Sequence, residues 1–221
     1  MHTDHWLDRW KQNRIGFHES VVNPYLPCYL PRFDLARGDT IFLPLCGKAI
    51  DIAWLAQQGF KVIGVELSEI AIESFFAEQE LQYQQFEYDR FILRQSGNIS
   101  LIQGNYFELR QQDLPDCKMV YDRASLIAID EVNRSAYAAH MRSIVPQDTS
   151  ILLVTLDYDQ SQMNGPPFAV SGEEVSQLYQ AYYSIEMLEQ NDVLDQRPRW
   201  RKQGLTGLTE SVFHLTATPG N

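Results

Sequence analysis

The stretch that most constrains the fold is residues 40–66, where two apolar runs flank a glycine turn and a helical pattern. The first run, Ile41 to Leu45, lacks polar alternation, which is typical of a strand buried on both faces. Gly47 lies in the turn that follows, residues 50–55 have helical periodicity, and Lys61 to Val65 is the second strand. This order predicts the first βαβ unit of an open parallel sheet. Such sheets bind nucleosides in the crevice at the carboxyl end of the first strand.

One acid and one glycine define what this crevice binds. Glu66 follows the second strand, 19 positions after Gly47, and an acid about 20 residues beyond the turn binds the ribose hydroxyls in such folds. The turn lacks the three glycines of G-x-G-x-x-G, which admit a pyrophosphate. The sequence therefore predicts a nucleoside cofactor without phosphates, a description that S-adenosylmethionine fits. Close packing of a helix on a strand would also explain a single glycine.

Size and charge limit the class of protein. The 221 residues are enough for one α/β domain, so we expect a single domain over residues 1–221. The formal net charge of −11 and the lack of a Lys/Arg stripe argue against nucleic acid and anionic membranes as partners. The three cysteines include no C-x-x-C pair, so neither a disulfide framework nor a zinc site is expected. We expect a cytoplasmic monomer that binds small molecules.

The remaining chain continues the alternation of strands and helices. Helices are predicted at 4–11, 25–30, from Ser68 as N-cap through 76, at 131–144 and at 173–182, the last helix. Further strands are predicted at 98–102, 117–121, 150–156, 185–188 and 211–216. Residues 79–95 have no clear period and are predicted to form an irregular insertion. The fold class is therefore α/β, a mostly parallel seven-stranded sheet with helices on both faces and an antiparallel C-terminal strand pair.

Six short motifs are spread over nearly the whole chain. They are W-L-D-R-W (6–10), F-H (17–18), P-L-C-G-K (44–48), G-V-E-L-S-E (64–69), Y-D-R-A (121–124) and P-P-F (166–168). Together they resemble the thiopurine S-methyltransferases, a branch of the S-adenosylmethionine-dependent methyltransferases. The resemblance implies a Rossmann-like methyltransferase fold in which residues 1–39 form a helical lid. It also implies methyl transfer to the sulfur of small aromatic or heterocyclic thiols.

The same resemblance assigns roles to individual residues. The implied cofactor-binding residues are Trp10, Leu45, Glu66, Asn105, Tyr106 and Arg123, in addition to Gly47 from the turn. Asn105 and Tyr106 would flank the adenine. On the substrate side the resemblance implies Trp6, Phe17 and again Arg123. The sequence departs from the family at Ala49, commonly serine, and at Asn105, commonly aspartate, although an asparagine carbonyl can still accept a hydrogen bond.

No catalytic residue and no metal ligand is predicted. Methyl transfer from a sulfonium is an in-line displacement in which the protein mainly positions the reactants, and a thiol that ionises near neutral pH needs no general base. Asp122 and His18 are candidate bases, but an Asp at a strand end is more often a turn or cap residue, and a lone histidine is more often structural. Cys46 has no paired base in any motif and is interpreted as a packing residue.

Three other functions are compatible with the sequence. One is methylation of inorganic selenium or tellurium species. Another is a nicotinamide-dependent oxidoreductase, against which the missing second and third glycines argue. The third is a module that binds the cofactor without turnover. Binding of S-adenosylhomocysteine or NAD and methylation of a thiol panel distinguish these functions.

Overall fold

The computed structural model describes residues 3–15 and 18–218. Within them, seven α-helices and nine β-strands alternate along most of the chain. The helices are α1 (Thr3–Lys11), α2 (Tyr25–Tyr29), α3 (Asp51–Gln57), α4 (Glu69–Glu78), α5 (Glu131–Ile144), α6 (Gly172–Tyr179) and α7 (Pro198–Lys202). The strands are β1 (Thr40–Leu43), β2 (Lys61–Glu66), β3 (Gln84–Tyr88), β4 (Phe91–Ser96), β5 (Ile99–Gln103), β6 (Cys117–Arg123), β7 (Ser150–Asp157), β8 (Tyr183–Asp192) and β9 (Thr209–Ala217). None of the described helices has the length and apolar character of a membrane span.

The chain divides into two compact units. The N-terminal unit contains the described residues up to Tyr121 together with Ile144–Pro146, and the C-terminal unit contains the others. Strands of the N-terminal unit follow the order β3-β4-β5-β2-β1-β6, and β5, β2, β1 and β6 run parallel. All four residues of β1 are buried, as expected of a strand covered on both faces. The single domain over residues 1–221 stays a prediction.

The C-terminal unit carries an antiparallel arrangement of strands. The order is β7-β9-β8, in which Val154 lies opposite Val212 and Ile185 lies opposite Leu215. The predicted antiparallel pair at the end of the chain is thereby confirmed, although both strands are longer than the alternation indicated. The register shifts between Met187 and Glu189, an irregularity of the bulge type that accentuates the twist of an outer strand.

The prediction that residues 79–95 are irregular is wrong. β3 and β4 pair antiparallel as a hairpin, and β4 continues the pairing to β5. The two strands therefore add to the seven that were expected. Four of the five residues of β3 are exposed and the fifth is half-buried, so this edge strand has no core-facing residues to produce an apolar alternation in the sequence.

Helix boundaries follow the local signals closely where those signals are strong. α5 has the predicted bounds, and the Ser68 hydroxyl accepts a hydrogen bond from the Ala71 N–H at 3.3 Å, as expected of an N-cap. α6 ends at Tyr179, three residues before the predicted end, and it is not the last helix because α7 follows. α7 has only five residues, too few for an apolar period to be visible.

Candidate cofactor site

The loop after β1 turns sharply at the carboxyl end of the parallel strands. Leu45 and Gly47 both have left-handed backbone conformations, with φ of 44° and 53°. The Cys46 N–H donates to the Val65 carbonyl at 3.0 Å, which fixes the loop against the end of β2. A left-handed φ is strained for leucine, and such residues cluster at binding and catalytic sites. The loop is thus held in one shape by its neighbour strand.

Glu66 lies at the centre of the candidate site. Its side chain is buried, with 7% of the residue exposed. One carboxylate oxygen accepts from the Gly47 N–H at 2.9 Å, and the other accepts from the Ser68 N–H at 2.7 Å. Each carboxylate oxygen has a second lone pair. The carboxylate is therefore fixed by backbone donors, and its remaining lone pairs can accept hydrogen bonds from a ligand.

Burial is the main cause of the shifted pKa values of the two ionisable groups at this site, Glu66 and Cys46. Burial raises the pKa of Glu66, and the backbone N–H groups of Ser68 and Gly47 oppose that rise because they stabilise the carboxylate. Burial, together with the negative charge of Glu66, raises the pKa of the Cys46 thiol well above its usual value. Cys46 is therefore a protonated thiol at neutral pH. Its sulfur packs against Gly64, 2.7 Å from the place where a Cβ would stand, in agreement with the packing interpretation.

The first helix covers the glycine turn. Trp10, near the end of α1, is 6% exposed. A Cβ added at Gly47 would stand 3.2 Å from Cζ2 and 3.7 Å from Cη2 of the Trp10 indole. The position needs glycine for two reasons, the left-handed φ and this close approach of the indole. Trp10 therefore lies directly over the loop that holds Glu66.

Replacing Gly47 with alanine should lower the free energy of unfolding by about 1–2 kcal/mol, the strain of a left-handed non-glycine residue. It should also weaken binding of S-adenosylhomocysteine, because the indole of Trp10 must move. Chemical denaturation and titration calorimetry measure the two effects. Gly97→Ala is the matched control, since Gly97 has φ of 55° with no atom within 4 Å of an added Cβ. Equal ligand binding by both variants would remove the indole contact from the explanation.

Asn105 and Tyr106 follow β5 and are attached to the same centre. The Gly104 N–H donates to the Glu66 carbonyl at 2.9 Å. The Asn105 side-chain oxygen accepts from the Phe107 N–H at 3.1 Å and caps a short 3-10 turn, Tyr106–Glu108. Tyr106 is 1% exposed, and its ring packs edge-on against Phe107. Asn105 thus has its carbonyl oxygen directed to the backbone, whereas Tyr106 is a core residue.

Arg123 and Asp122 end β6 and belong to the C-terminal unit. Arg123 is half-buried. Asp122 is 1% exposed, and its two carboxylate oxygens accept from the Leu126 N–H at 3.0 Å and from the Tyr137 hydroxyl at 2.7 Å. Burial raises the pKa of Asp122 to about 6, against the lowering effect of these two donors. Asp122 is therefore a buried cap of the turn after β6, the structural alternative considered for it.

Two of the three predicted substrate residues, Trp6 and Phe17, come from the amino-terminal part of the sequence. Trp6 is half-buried on α1, next to His5 and with the Arg9 guanidinium 5.7 Å from its ring centre. His18 is half-buried, and its backbone N–H donates a hydrogen bond to the Ile15 carbonyl at 2.8 Å. Phe17 lies outside the described residues. Trp6 shares its helix with Trp10, so the structure places these two predicted residues together.

Two features of the site were not predicted from the sequence. The second donor to Glu66 is the backbone N–H of Ser68, for which the G-V-E-L-S-E motif offers a local signal, since an Asp or Glu often accepts from the N–H two residues on. The other is a hydrogen bond between the amino-terminal segment and α3, in which buried Asp51 accepts from the Asn23 N–H at 2.9 Å. No local sequence pattern indicates that hydrogen bond. In residues 3–15 and 18–218, no three metal-ligating side chains form a metal site.

Known proteins resemble this chain along nearly its whole length. The model of the family described as thiopurine S-methyltransferase (TPMT) matches residues 1–218. Proteins named thiopurine S-methyltransferase are similar to this chain. The one from Pseudomonas paraeruginosa is 46% identical and the one from Azotobacter vinelandii is 45% identical, in both cases over 97% of this chain and 99% of the relative. The one from Nitrosospira multiformis is 43% identical over 97% of this chain and 98% of the relative.

Solved structures with the same fold are distant in sequence. A 1,6-didemethyltoxoflavin-N1-methyltransferase from Burkholderia thailandensis is 15% identical, with a TM-score of 0.63 over 97% of this chain and 87% of that one. An arsenic(III) S-adenosylmethionine methyltransferase from Chlamydomonas reinhardtii is 14% identical, with a TM-score of 0.59 over 83% of this chain and 65% of that one. These likenesses confirm the predicted methyltransferase fold class.

The family match extends along nearly the whole chain, as do the motifs that carried the resemblance. It confirms the predicted enzyme class, a methyltransferase, and its predicted cofactor, S-adenosylmethionine. The crevice at Gly47 and Glu66 agrees with both, because it has an acid and a close backbone approach but no phosphate cradle. The chain belongs to the thiopurine S-methyltransferase family.

Proposed function

We propose that the protein transfers the methyl group of S-adenosylmethionine to the sulfur of small aromatic or heterocyclic thiols. The family and the relatives with 43–46% identity are named for this activity. The observation that supports the proposal most is the Glu66 carboxylate, held by the N–H groups of Gly47 and Ser68 beneath the Trp10 indole. A rigid acid at the end of the second strand is what a ribose diol requires.

The residues of the N-terminal unit fit a nucleoside without phosphates. Glu66 would accept from both ribose hydroxyls, and the backbone at Leu45 and Gly47 would approach the ligand closely. Asn105 already accepts from Phe107 N–H, so its side-chain NH₂ is the group to donate to an adenine ring nitrogen. Tyr106 is buried, so its contribution would come from its backbone rather than its ring. Trp10 would close the site from above.

The thiol side of the site is assigned by the resemblance. Arg123 would attract an anionic substrate or the cofactor carboxylate, because a guanidinium forms charge-assisted hydrogen bonds with carboxylates. Trp6 and Phe17 would supply apolar surface to an aromatic thiol. These three assignments are predictions that substitution of each residue can test through the KM for the thiol.

Positioning is the main catalytic contribution that we propose. When bound, S-adenosylmethionine supplies the electrophilic methyl group and a neutral thioether as leaving group. Holding an attacking sulfur in line can lower the barrier by about 7–11 kcal/mol in favourable intramolecular models. Asp122 does not serve as the base in this proposal, since it is only 1% exposed and its carboxylate caps the turn after β6. Cys46 stays protonated because its pKa is raised, so it does not compete as a nucleophile.

Methyl-labelled S-adenosylmethionine and a panel of acceptors test the proposal. We expect labelled product with aryl and heterocyclic thiols, and none with the phenols of the same shape. Selenite and tellurite belong in the panel because inorganic acceptors are an alternative. Binding of S-adenosylhomocysteine without any methylated product would identify a binding module, and calorimetric binding of NAD alone would contradict the cofactor as well as the reaction.

A further inference from the structure

The hairpin that the sequence did not predict carries a deeply buried charge. Arg94, in the middle of β4, is 1% exposed and is among the largest fully buried side chains of the described residues. Removing a guanidinium from water is costly unless good hydrogen bonds replace the lost hydration. The partners of Arg94 therefore indicate what this burial accomplishes.

The Arg94 guanidinium joins two other elements of the N-terminal unit. Nη1 donates to the Gln103 Oε1 at 2.6 Å, and Nη2 donates to the Glu69 Oε1 at 2.7 Å. The Tyr83 ring lies beside it, with the ring centre 5.8 Å from the guanidinium carbon. The fork geometry of the guanidinium makes both bonds simultaneously, which a lysine ammonium on a flexible chain does less well.

Both partners adjoin the cofactor site. Gln103 is the last residue of β5, in register with Glu66 on β2, and the turn with Asn105 follows it. Glu69 is the first residue of α4 and directly follows Ser68, whose N–H donates to Glu66. Arg94 therefore connects the loop that holds the ribose acid to the loop that carries Asn105.

We propose that Arg94 is a positioning residue of the cofactor site. By bonding to Glu69 and Gln103 together, it sets the spacing between the loops after β2 and β5, and so the distance between Glu66 and Asn105. This inference rests on the proposed cofactor site and assigns a role to the β3-β4 hairpin, which itself contributes no predicted ligand contact. The hairpin acts on the cofactor through these two side chains.

The test compares Arg94→Lys and Glu69→Gln with the wild type. Titration calorimetry with S-adenosylhomocysteine gives the dissociation constant, and denaturant unfolding gives stability. We expect each variant to bind at least about tenfold more weakly, with a raised KM for S-adenosylmethionine and a kcat within about twofold. The double variant should bind no more weakly than Arg94→Lys alone, because the two residues act through one bond.

Arg134→Lys is the matched control. Arg134 is 3% exposed and is bonded to Glu174 at 2.6 and 2.7 Å and to the Ile129 carbonyl at 3.0 Å, all in the C-terminal unit. Its replacement should lower stability and leave the dissociation constant unchanged. Glu69 has a side chain 53% exposed, so Glu69→Gln is decisive even where Arg94→Lys fails to fold.

The outcomes separate the two proposals. A wild-type protein that does not bind S-adenosylhomocysteine overturns the proposed cofactor site itself. If the wild type binds S-adenosylhomocysteine and both Glu69→Gln and the folded Arg94→Lys variant bind it with the same dissociation constant, only the positioning role is overturned. The same weakening of binding in Arg134→Lys would also overturn it, since loss of any buried ion pair would then suffice.

Discussion

Replacing Glu66 with alanine should weaken binding of S-adenosylhomocysteine by about 1.5–3 kcal/mol, roughly 10- to 150-fold in dissociation constant. The expected loss is that of hydrogen bonds between a charged acceptor and the ribose hydroxyls. The variant also leaves the N–H groups of Gly47 and Ser68 without their acceptor, which loosens the loop around the ligand. Titration calorimetry on the folded variant measures the effect.

Glu66→Gln sharpens the test, because the amide has nearly the same shape. Its NH₂ group must face either the Gly47 N–H or the Ser68 N–H, so one donor would oppose another. We therefore expect the glutamine variant to bind nearly as weakly as alanine. Glu73→Ala is the control, since Glu73 is exposed on α4. A dissociation constant unchanged by either substitution of Glu66 would exclude this residue from the site.

The second large effect concerns stability as a function of pH. Burial raises the pKa of Asp122 from 3.8 to about 6 in the folded protein. A carboxyl whose pKa is raised on folding stabilises the folded state while protonated, and this contribution is lost as pH rises through the folded pKa. Relative to pH 7.5, Asp122 should add about 1–2 kcal/mol to the free energy of unfolding at pH 5, and about 3 kcal/mol at lower pH.

Asp122→Asn isolates this contribution. The variant has no carboxyl at this position, so the difference in unfolding free energy between wild type and variant should shift in favour of the wild type as pH falls from 7.5 to 5. Denaturant unfolding at several pH values measures it. Asp116→Asn, at an exposed position before the same strand, should leave the pH profile of the wild type unchanged. Parallel profiles for wild type and Asp122→Asn would show that Asp122 does not titrate in this range.

The sequence was most informative where local pattern and function coincide. A nucleoside crevice was predicted from the apolar run of β1, the lone Gly47 and the acid at position 66. In the structure the Gly47 N–H donates to a carboxylate oxygen of Glu66 at 2.9 Å. Strong boundary signals also placed α5 correctly. The proximity of Gly47 and Glu66 was predictable because the order of elements along a βαβ unit fixes their positions in space, whereas the binding of a nucleoside there stays a prediction.

Other features depended on contacts that no local pattern records. The β3-β4 hairpin has an exposed edge strand, so its residues show no apolar period. Arg94 looks like an ordinary surface arginine in the sequence, and only its long-range partners explain its burial. For Asp122 the sequence left cap and base both open, and its burial together with its hydrogen bond from the Leu126 N–H favours the cap.

The position of Trp10 has a consequence for the order of kinetic events. Glu66 is nearly buried, and the indole lies over the Gly47 loop beside it. If the cofactor binds at Glu66 as proposed, α1 would have to move before the nucleoside could leave. Movement of α1, and not the strength of the contacts to the cofactor, would then set the turnover rate, as lid opening does in many enzymes. A series of thiols of different reactivity would in that case share one kcat and differ only in kcat/KM.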